Sequence, residues 1–99
     1  MKKKVAKTKV VTGVDAILAE REITNGPFED FAKVENNLLD AVTSMPNWNG
    51  LDPVIKSAIR MNLHKVSRIV VGDPYALDHY RDTQGYMRRA ERYIEQKVK

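Results

Sequence analysis

The chain has 99 residues, a formal net charge of +4 at neutral pH and no cysteine. This length suits one domain with a modest core, so that self-association would help to bury apolar surface. The lack of cysteine excludes disulfides and cysteine-ligated metals, and an intracellular location is expected. No apolar run approaches the roughly 20 residues of a transmembrane helix, and no membrane association is expected.

The positive charge is concentrated before residue 10, where five lysines lie; the remaining chain has twelve basic and thirteen acidic residues, a charge of −1. We therefore expect a basic flexible tail over residues 1–12 and a single helical domain over residues 13–99. Sequence-specific DNA binding is not expected of such a body. Residues 10–55 carry a charge of −6 and residues 56–99 a charge of +5. These halves should attract each other, within one chain or between copies.

The first half of the domain predicts two helices. The first begins at Asp15 and ends near Ile23, and Asn25-Gly26 makes the turn that follows. The second begins at Phe28 and has one apolar face, formed by Phe28, Phe31, Ala32, Leu38, Leu39 and Val42. Glu35 lies on this face, where its carboxylate must find a cation or a hydrogen-bond donor, or reach water.

The second half predicts a helical hairpin. Trp48, in the loop Met45–Gly50, is expected to cover the edge of the core rather than to stack on a ligand. Asp52-Pro53 begins the third helix. Gly72 is expected to end it in the left-handed conformation, and Asp73-Pro74 to begin the fourth. The third helix carries a stripe of Ile55, Ala58, Ile59, Asn62, Val66 and Ile69, and the fourth carries Leu77, Tyr80, Met87, Ala90 and Ile94.

The predicted fold is all-α, a small oligomeric bundle of about four helices whose hairpin is joined at Gly72-Asp73-Pro74. Lys65 and Arg68 are three residues apart on the third helix, and the fourth carries a row with a spacing of four residues, formed by Asp78, Asp82 and Tyr86. Gly85 is expected to let a backbone or a ligand approach this row. Two interpretations stay open, a network of salt bridges that includes Glu35 and a ligand site.

The ligand interpretation itself has two forms. Lys65 and Arg68 have the chemistry that binds phosphate, with Glu35, Asp78, Asp82 and Tyr86 as neighbours in the site. Alternatively, three carboxylates converge and hold Mg²⁺, which prefers carboxylate and phosphate oxygens, and these are Glu35, Asp78 and Asp82.

Several segments together resemble a family of small phage and prophage proteins of unknown function. They are Ile17-Leu18-Ala19-Glu20-Arg21, Thr24-Asn25-Gly26-Pro27-Phe28-Glu29-Asp30, Lys65-Val66-Ser67-Arg68-Ile69, Gly72-Asp73-Pro74, and Asp78-His79-Tyr80-Arg81-Asp82 with Gly85-Tyr86. The resemblance covers Val14 to Ile94, and the chain departs from it at Asn25 and Tyr80. It implies a bacteriophage origin, a helical fold and a location in the cytoplasm of the host bacterium, without supplying an activity.

A looser similarity connects the last helix with the all-helical nucleotide pyrophosphatases of the MazG type. Those enzymes hold Mg²⁺ with paired glutamates three residues apart on one helix and an acidic pair on the next. Here Glu29 and Asp30 lie off the face that carries Glu35, and Lys65 and Arg68 stand where an acidic ligand would help. This departure argues against hydrolysis, so that no enzyme activity and no cofactor are expected.

The sequence leaves three candidate functions. The favoured one is a non-enzymatic phage accessory protein that binds a phosphate-bearing ligand, such as a host signalling nucleotide that it sequesters in counter-defence. The second is a Mg²⁺-dependent nucleoside triphosphate pyrophosphohydrolase, for which the sequence offers no clear base to activate water. The third is a protein-interaction module that inhibits a host enzyme through aromatic anchors such as Trp48, Tyr80 or Tyr93.

Overall fold

The structure is a computed structural model that describes residues 13–99. Within this range the chain forms four α-helices, one 3-10 helix and no strand, which confirms the predicted all-α class. The helices are α1 (Gly13–Asn25), α2 (Phe28–Thr43), the 3-10 helix (Pro46–Gly50), α3 (Pro53–Val71) and α4 (Leu77–Lys97). The basic tail predicted for residues 1–12 lies outside the described residues. None of the helices in residues 13–99 has the length and apolar character needed to cross a bilayer.

The central element is α3, which contacts each of the other three helices. Helix α2 packs along one side of it and α4 along another, while α2 and α4 share no extensive contact. Helix α1 contacts both α2 and α3. The three longest helices therefore form an open layer with α3 in the middle.

The start of α3 follows the predicted capping pattern. Asp52 accepts a hydrogen bond from the Val54 amide at 2.9 Å, and Pro53 occupies the first turn, where its missing N–H costs nothing. The second Asp52 oxygen accepts a hydrogen bond from the Tyr93 hydroxyl of α4 at 2.8 Å. These two bonds hold the pKa of Asp52 below its usual value, the Val54 amide having the larger effect. The cap thus also fastens the end of α4 to the start of α3.

The end of α3 differs from the prediction. Gly72 has a φ of −104° and a ψ of −138°, so the predicted left-handed ending at this residue is wrong. A Cβ on Gly72 would collide with the backbone of Thr24 and Asn25. The amide of Asp73 donates a hydrogen bond to the Thr24 carbonyl at 2.7 Å. Gly72 is therefore needed for the close approach of two backbone segments rather than for its own dihedral angles.

The left-handed glycine is Gly26, between α1 and α2, with a φ of 80°. A Cβ at this position would lie 2.5 Å from the carbonyl oxygen of Val71. The turn after α1 and the turn after α3 therefore pack against each other, with one glycine in each. We call this contact between Gly26 and Gly72 the glycine joint.

The fourth helix begins at Leu77, so the predicted start at Pro74 is wrong. The Asp73 side chain accepts a hydrogen bond from the Tyr75 amide at 2.9 Å, and its carbonyl accepts one from the Ala76 amide at 3.2 Å. Asp73-Pro74 thus forms a separate turn, because these bonds satisfy the polar groups that the first turn of a helix would use.

The core is small. Among residues 13–99 the buried apolar side chains are Phe31, Trp48, Ala58 and Ala90. Trp48 covers the edge of the core as predicted, with Lys56 and Arg60 over its ring at 5.7 and 5.3 Å. Phe28 and Val66, although predicted on the buried stripes, are exposed. The chain therefore leaves much of its apolar surface uncovered.

Candidate functional site

Lys65 of α3 and Asp82 of α4 form an ion pair across the helical hairpin. Lys65 Nζ lies 2.8 Å from Asp82 Oδ2, and only 12% of the Lys65 side chain is exposed. This hydrogen bond is the main reason why the pKa of Asp82 lies below its usual value. The charged rows thus meet at this pair, as the salt-bridge interpretation predicts.

The other members of the rows point elsewhere. Arg68 places its guanidinium over the ring of Phe31 in α2, 5.6 Å from the ring centroid. Asp78 is exposed, and its side chain makes neither an ion pair nor a hydrogen bond within residues 13–99. Tyr86 lines a separate groove together with Met61 and Arg89. The predicted residues are therefore spread over several surfaces. Gly85 faces open space, and no backbone approaches it within the described part of the chain.

Glu35 finds its partner in a histidine. Its Oε2 accepts a hydrogen bond from Nδ1 of His64 in α3 at 2.5 Å. The edge of the His64 ring meets Phe31, with centroids 4.8 Å apart and planes at 81°. The sequence predicted a cation, a hydrogen-bond donor or water for this carboxylate and did not indicate His64. This contact fixes the His64 ring at the interface between α2 and α3.

A groove of about 530 Å³ lies where α1, α2 and α3 meet, and we call it the arginine groove. Two arginines line it, Arg21 from α1 and Arg68 from α3, and neither forms an ion pair within residues 13–99. The remaining lining residues are Leu18, Glu22, Asn25, Gly26, Phe28, Phe31 and His64.

Aromatic rings form one wall of the arginine groove. Phe28 is 74% exposed, and its ring lies 6.1 Å from that of Phe31 at an angle of 36°. An exposed phenylalanine beside two arginines that form no ion pair within residues 13–99 combines an apolar flat surface with anion-binding groups. This arrangement can bind a ligand that has both a planar ring and a negative charge.

His79 of α4 is a second unusual group, because it is only 4% exposed and neither ring nitrogen has a hydrogen-bond partner within residues 13–99. Burial lowers its pKa, and the charges of Lys65 and Arg68 lower the pKa further. Asn62 of α3 likewise has both amide atoms buried without a partner in the described part of the chain. The folded protein therefore favours the neutral form of His79.

The three carboxylates predicted to hold Mg²⁺ lie in the described part of the chain, where they have other partners or none. Within residues 13–99 no three His, Asp or Glu side chains lie close enough together to hold a metal ion. Glu35 is bonded to His64, and Asp82 is paired with Lys65. The set proposed for Mg²⁺, Glu35 with Asp78 and Asp82, is thus not brought together.

Three of the groove residues were missed as site candidates, Arg21, Phe28 and His64. Arg21 lies three residues after Leu18 and so shares a helix face with an apolar residue, and a charge in such a position was the available signal. Phe28 was assigned to the core by its spacing, and only the packing of α1, α2 and α3 shows its exposure. His64 carried no signal beyond its position beside Lys65.

Comparisons of the chain with protein-family models, with curated proteins and with solved structures found no match. The resemblance to small phage proteins therefore stays a prediction from the motifs quoted above. Any functional conclusion rests on the chemistry of the described residues.

Proposed function

We propose that the protein binds a phosphate-bearing small molecule, most simply a nucleotide, in the arginine groove. The single observation that carries this proposal is that Arg21 and Arg68 line one groove without carboxylate partners within residues 13–99. A guanidinium group donates a planar pair of hydrogen bonds, which matches the geometry of two phosphate oxygens. Helix α1 supplies one arginine and α3 the other, so a ligand would also bridge these helices.

Phe28 and Phe31 support a nucleotide over inorganic phosphate. A base stacked on an aromatic side chain contributes about 1–3 kcal/mol of binding free energy, whichever base it is. Phe28 offers such a surface beside the arginines, and Arg68 is already stacked on Phe31. In this arrangement Lys65 does not contact the ligand, because it holds Asp82.

The biological role that we propose is the one expected from the sequence. It is that of a non-enzymatic accessory protein of phage origin that sequesters a host signalling nucleotide in the bacterial cytoplasm. The residues of the arginine groove support only the ligand-binding part of this proposal. The phage origin, the location and the sequestering role come from the resemblance, and of these three the identity of the bound ligand tests the sequestering role.

Calorimetry tests the proposal. The purified protein is titrated with ATP, GTP, a cyclic dinucleotide and inorganic phosphate, and we expect binding of at least one nucleotide. Arg21→Gln and Arg68→Gln should each weaken it about tenfold or more, which is about 1.4 kcal/mol. Arg88→Gln is the matched control, because Arg88 pairs with Glu91 on the exposed face of α4, away from the groove.

Two results would overturn the proposal. One is the absence of heat and of any thermal stabilisation with every nucleotide. The other is equal weakening by the Arg88 variant, which would show that nonspecific charge attraction causes the binding. Turnover of a bound nucleotide would overturn the non-enzymatic part.

A further inference from the structure

A second surface lies on the face of the helical hairpin opposite to the arginine groove. Ile55 and Ile59 of α3 and Met87 and Ile94 of α4 line a shallow apolar groove of about 490 Å³. Successive helical residues are about 100° apart, so Val66 projects about 160° away from His64, which lines the arginine groove. The two surfaces therefore belong to different faces of α3.

The apolar groove continues along both helices. On α3, positions separated by three or four residues are apolar from end to end: Ile55, Ile59, Leu63, Val66 and Val70. On α4, Tyr80, Met87 and Ile94 recur every seven residues, the spacing of helices that pack along their length. We call these eight residues the hairpin stripe.

The hairpin stripe is exposed in a single copy of the chain. Val66, Val70, Tyr80, Met87 and Ile94 are between 39% and 66% exposed. Large side chains have about 150–250 Å² of surface and the two valines lie at the lower end, so these five residues expose roughly 400–500 Å² of mostly apolar surface. A standard interface buries about 800 Å² on each partner, so the stripe supplies about half of the area that a stable dimer needs.

We propose that the hairpin stripe is the interface of a two-fold symmetric homodimer. Only four apolar side chains are buried within residues 13–99, and such a core needs a cover that is present whenever the chain folds. A second copy meets this requirement, because it is always made with the first. In a two-fold interface the hairpin stripe of one copy packs against the same stripe of the other copy. The α3 residues of the stripe are uncharged, so this packing brings no like charges together on α3.

The test compares two methionines of similar exposure on opposite faces of the hairpin. Met87 belongs to the hairpin stripe and is 49% exposed, whereas Met61 lines the groove beside Tyr86 and is 42% exposed. By light scattering we expect the wild-type protein to have twice the chain mass of 11.3 kDa. Met87→Glu should reduce this to the mass of one chain or abolish folding, while Met61→Glu should stay dimeric.

A second measurement covers the case in which Met87→Glu does not fold. The melting temperature of a wild-type dimer rises by several degrees between about 1 and 100 μM protein, while that of a monomer stays constant. A monomeric wild type with a constant melting temperature would overturn the proposal, even if the stripe bound another protein. A dimer that survives Met87→Glu and dissociates with Met61→Glu would place the interface on the other face. Neither result bears on nucleotide binding, which involves the opposite face.

Discussion

Phe31 of α2 and His64 of α3 meet edge to face, with ring centroids 4.8 Å apart. Two further interactions converge on this pair, because Glu35 bonds to His64 and the Arg68 guanidinium lies over Phe31. One buried ring therefore serves both the interface between α2 and α3 and the wall of the arginine groove. A substitution at Phe31 is therefore expected to affect both stability and ligand binding. A substitution at its exposed neighbour Phe28 is expected to affect ligand binding with little effect on stability.

Replacing the two phenylalanines separates these effects. Phe31→Ala should lower the free energy of unfolding by about 3 kcal/mol or more, because it removes a buried ring and leaves a cavity. Phe28→Ala should change it by less than about 1 kcal/mol, since that ring is exposed, yet should weaken nucleotide binding. Urea unfolding and calorimetry measure both quantities. Equal destabilisation by the two variants would contradict the assignment of Phe31 to the core.

The glycine joint predicts a contrast among three glycines. Gly26→Ala and Gly72→Ala should each destabilise the fold by more than about 1 kcal/mol, the first through its positive φ and both through collision with backbone. Gly85→Ala is the control, because a Cβ at Gly85 meets nothing. In the interior of α4 this change should stabilise the protein by about 0.5–1 kcal/mol. If Gly72→Ala and Gly85→Ala had the same melting temperature, the close approach of Gly72 to α1 would be refuted.

The buried state of His79 predicts a pH dependence. The pKa of His79 is lower in the folded protein than its ordinary value of 6.5, so the unfolded chain binds more protons between these two values. This contribution to stability is complete above pH 6.5 and is lost as the pH falls through the folded pKa. His79→Met should flatten this part of the profile and, because neither ring nitrogen has a partner within residues 13–99, cost less than about 1.5 kcal/mol at pH 8. Urea midpoints at several pH values for both proteins check the prediction, and parallel profiles would contradict it.

The ion pair between Lys65 and Asp82 predicts a second pH dependence of the free energy of unfolding, at lower pH. The pKa of Asp82 is lowered, so its contribution is present above the unfolded value, near 3.8, and is lost as the pH falls through the folded pKa. Asp82→Asn keeps the shape of the side chain but removes this titration. The variant should therefore be less stable than the wild type at pH 6, with a smaller loss of stability as the pH falls below about 3.8. Asp78→Asn, which breaks no ion pair within residues 13–99, should reproduce the wild-type profile.

Helix starts were predictable where the signal is local. Asp52 caps α3 through its own side chain, and Pro53 fits only the first turn of a helix. The same two residue types at Asp73-Pro74 form a turn that ends before α4 begins. At this second site the Asp73 backbone amide also donates a hydrogen bond to Thr24, a residue far away in the sequence, and the local pattern does not indicate such a contact.

The site was less predictable, because it depends on how the helices are oriented. A separation of three residues leaves Lys65 and Arg68 about 60° apart around α3. That angle is enough to direct Lys65 to Asp82 of α4 and Arg68 to Phe31 of α2. Spacing showed that the two side chains are neighbours, whereas only the packing of three helices assigns them to different partners.

The glycine joint also fixes the width of the arginine groove. Arg21 stands on α1, and the end of α1 is held to the rest of the molecule at Gly26 and Gly72 through the bond from Asp73 to Thr24. An insertion in either turn would shift this wall relative to Arg68 without altering any residue that lines the groove. Variants of the protein with different turn lengths would accordingly accept ligands of different size while keeping identical groove residues.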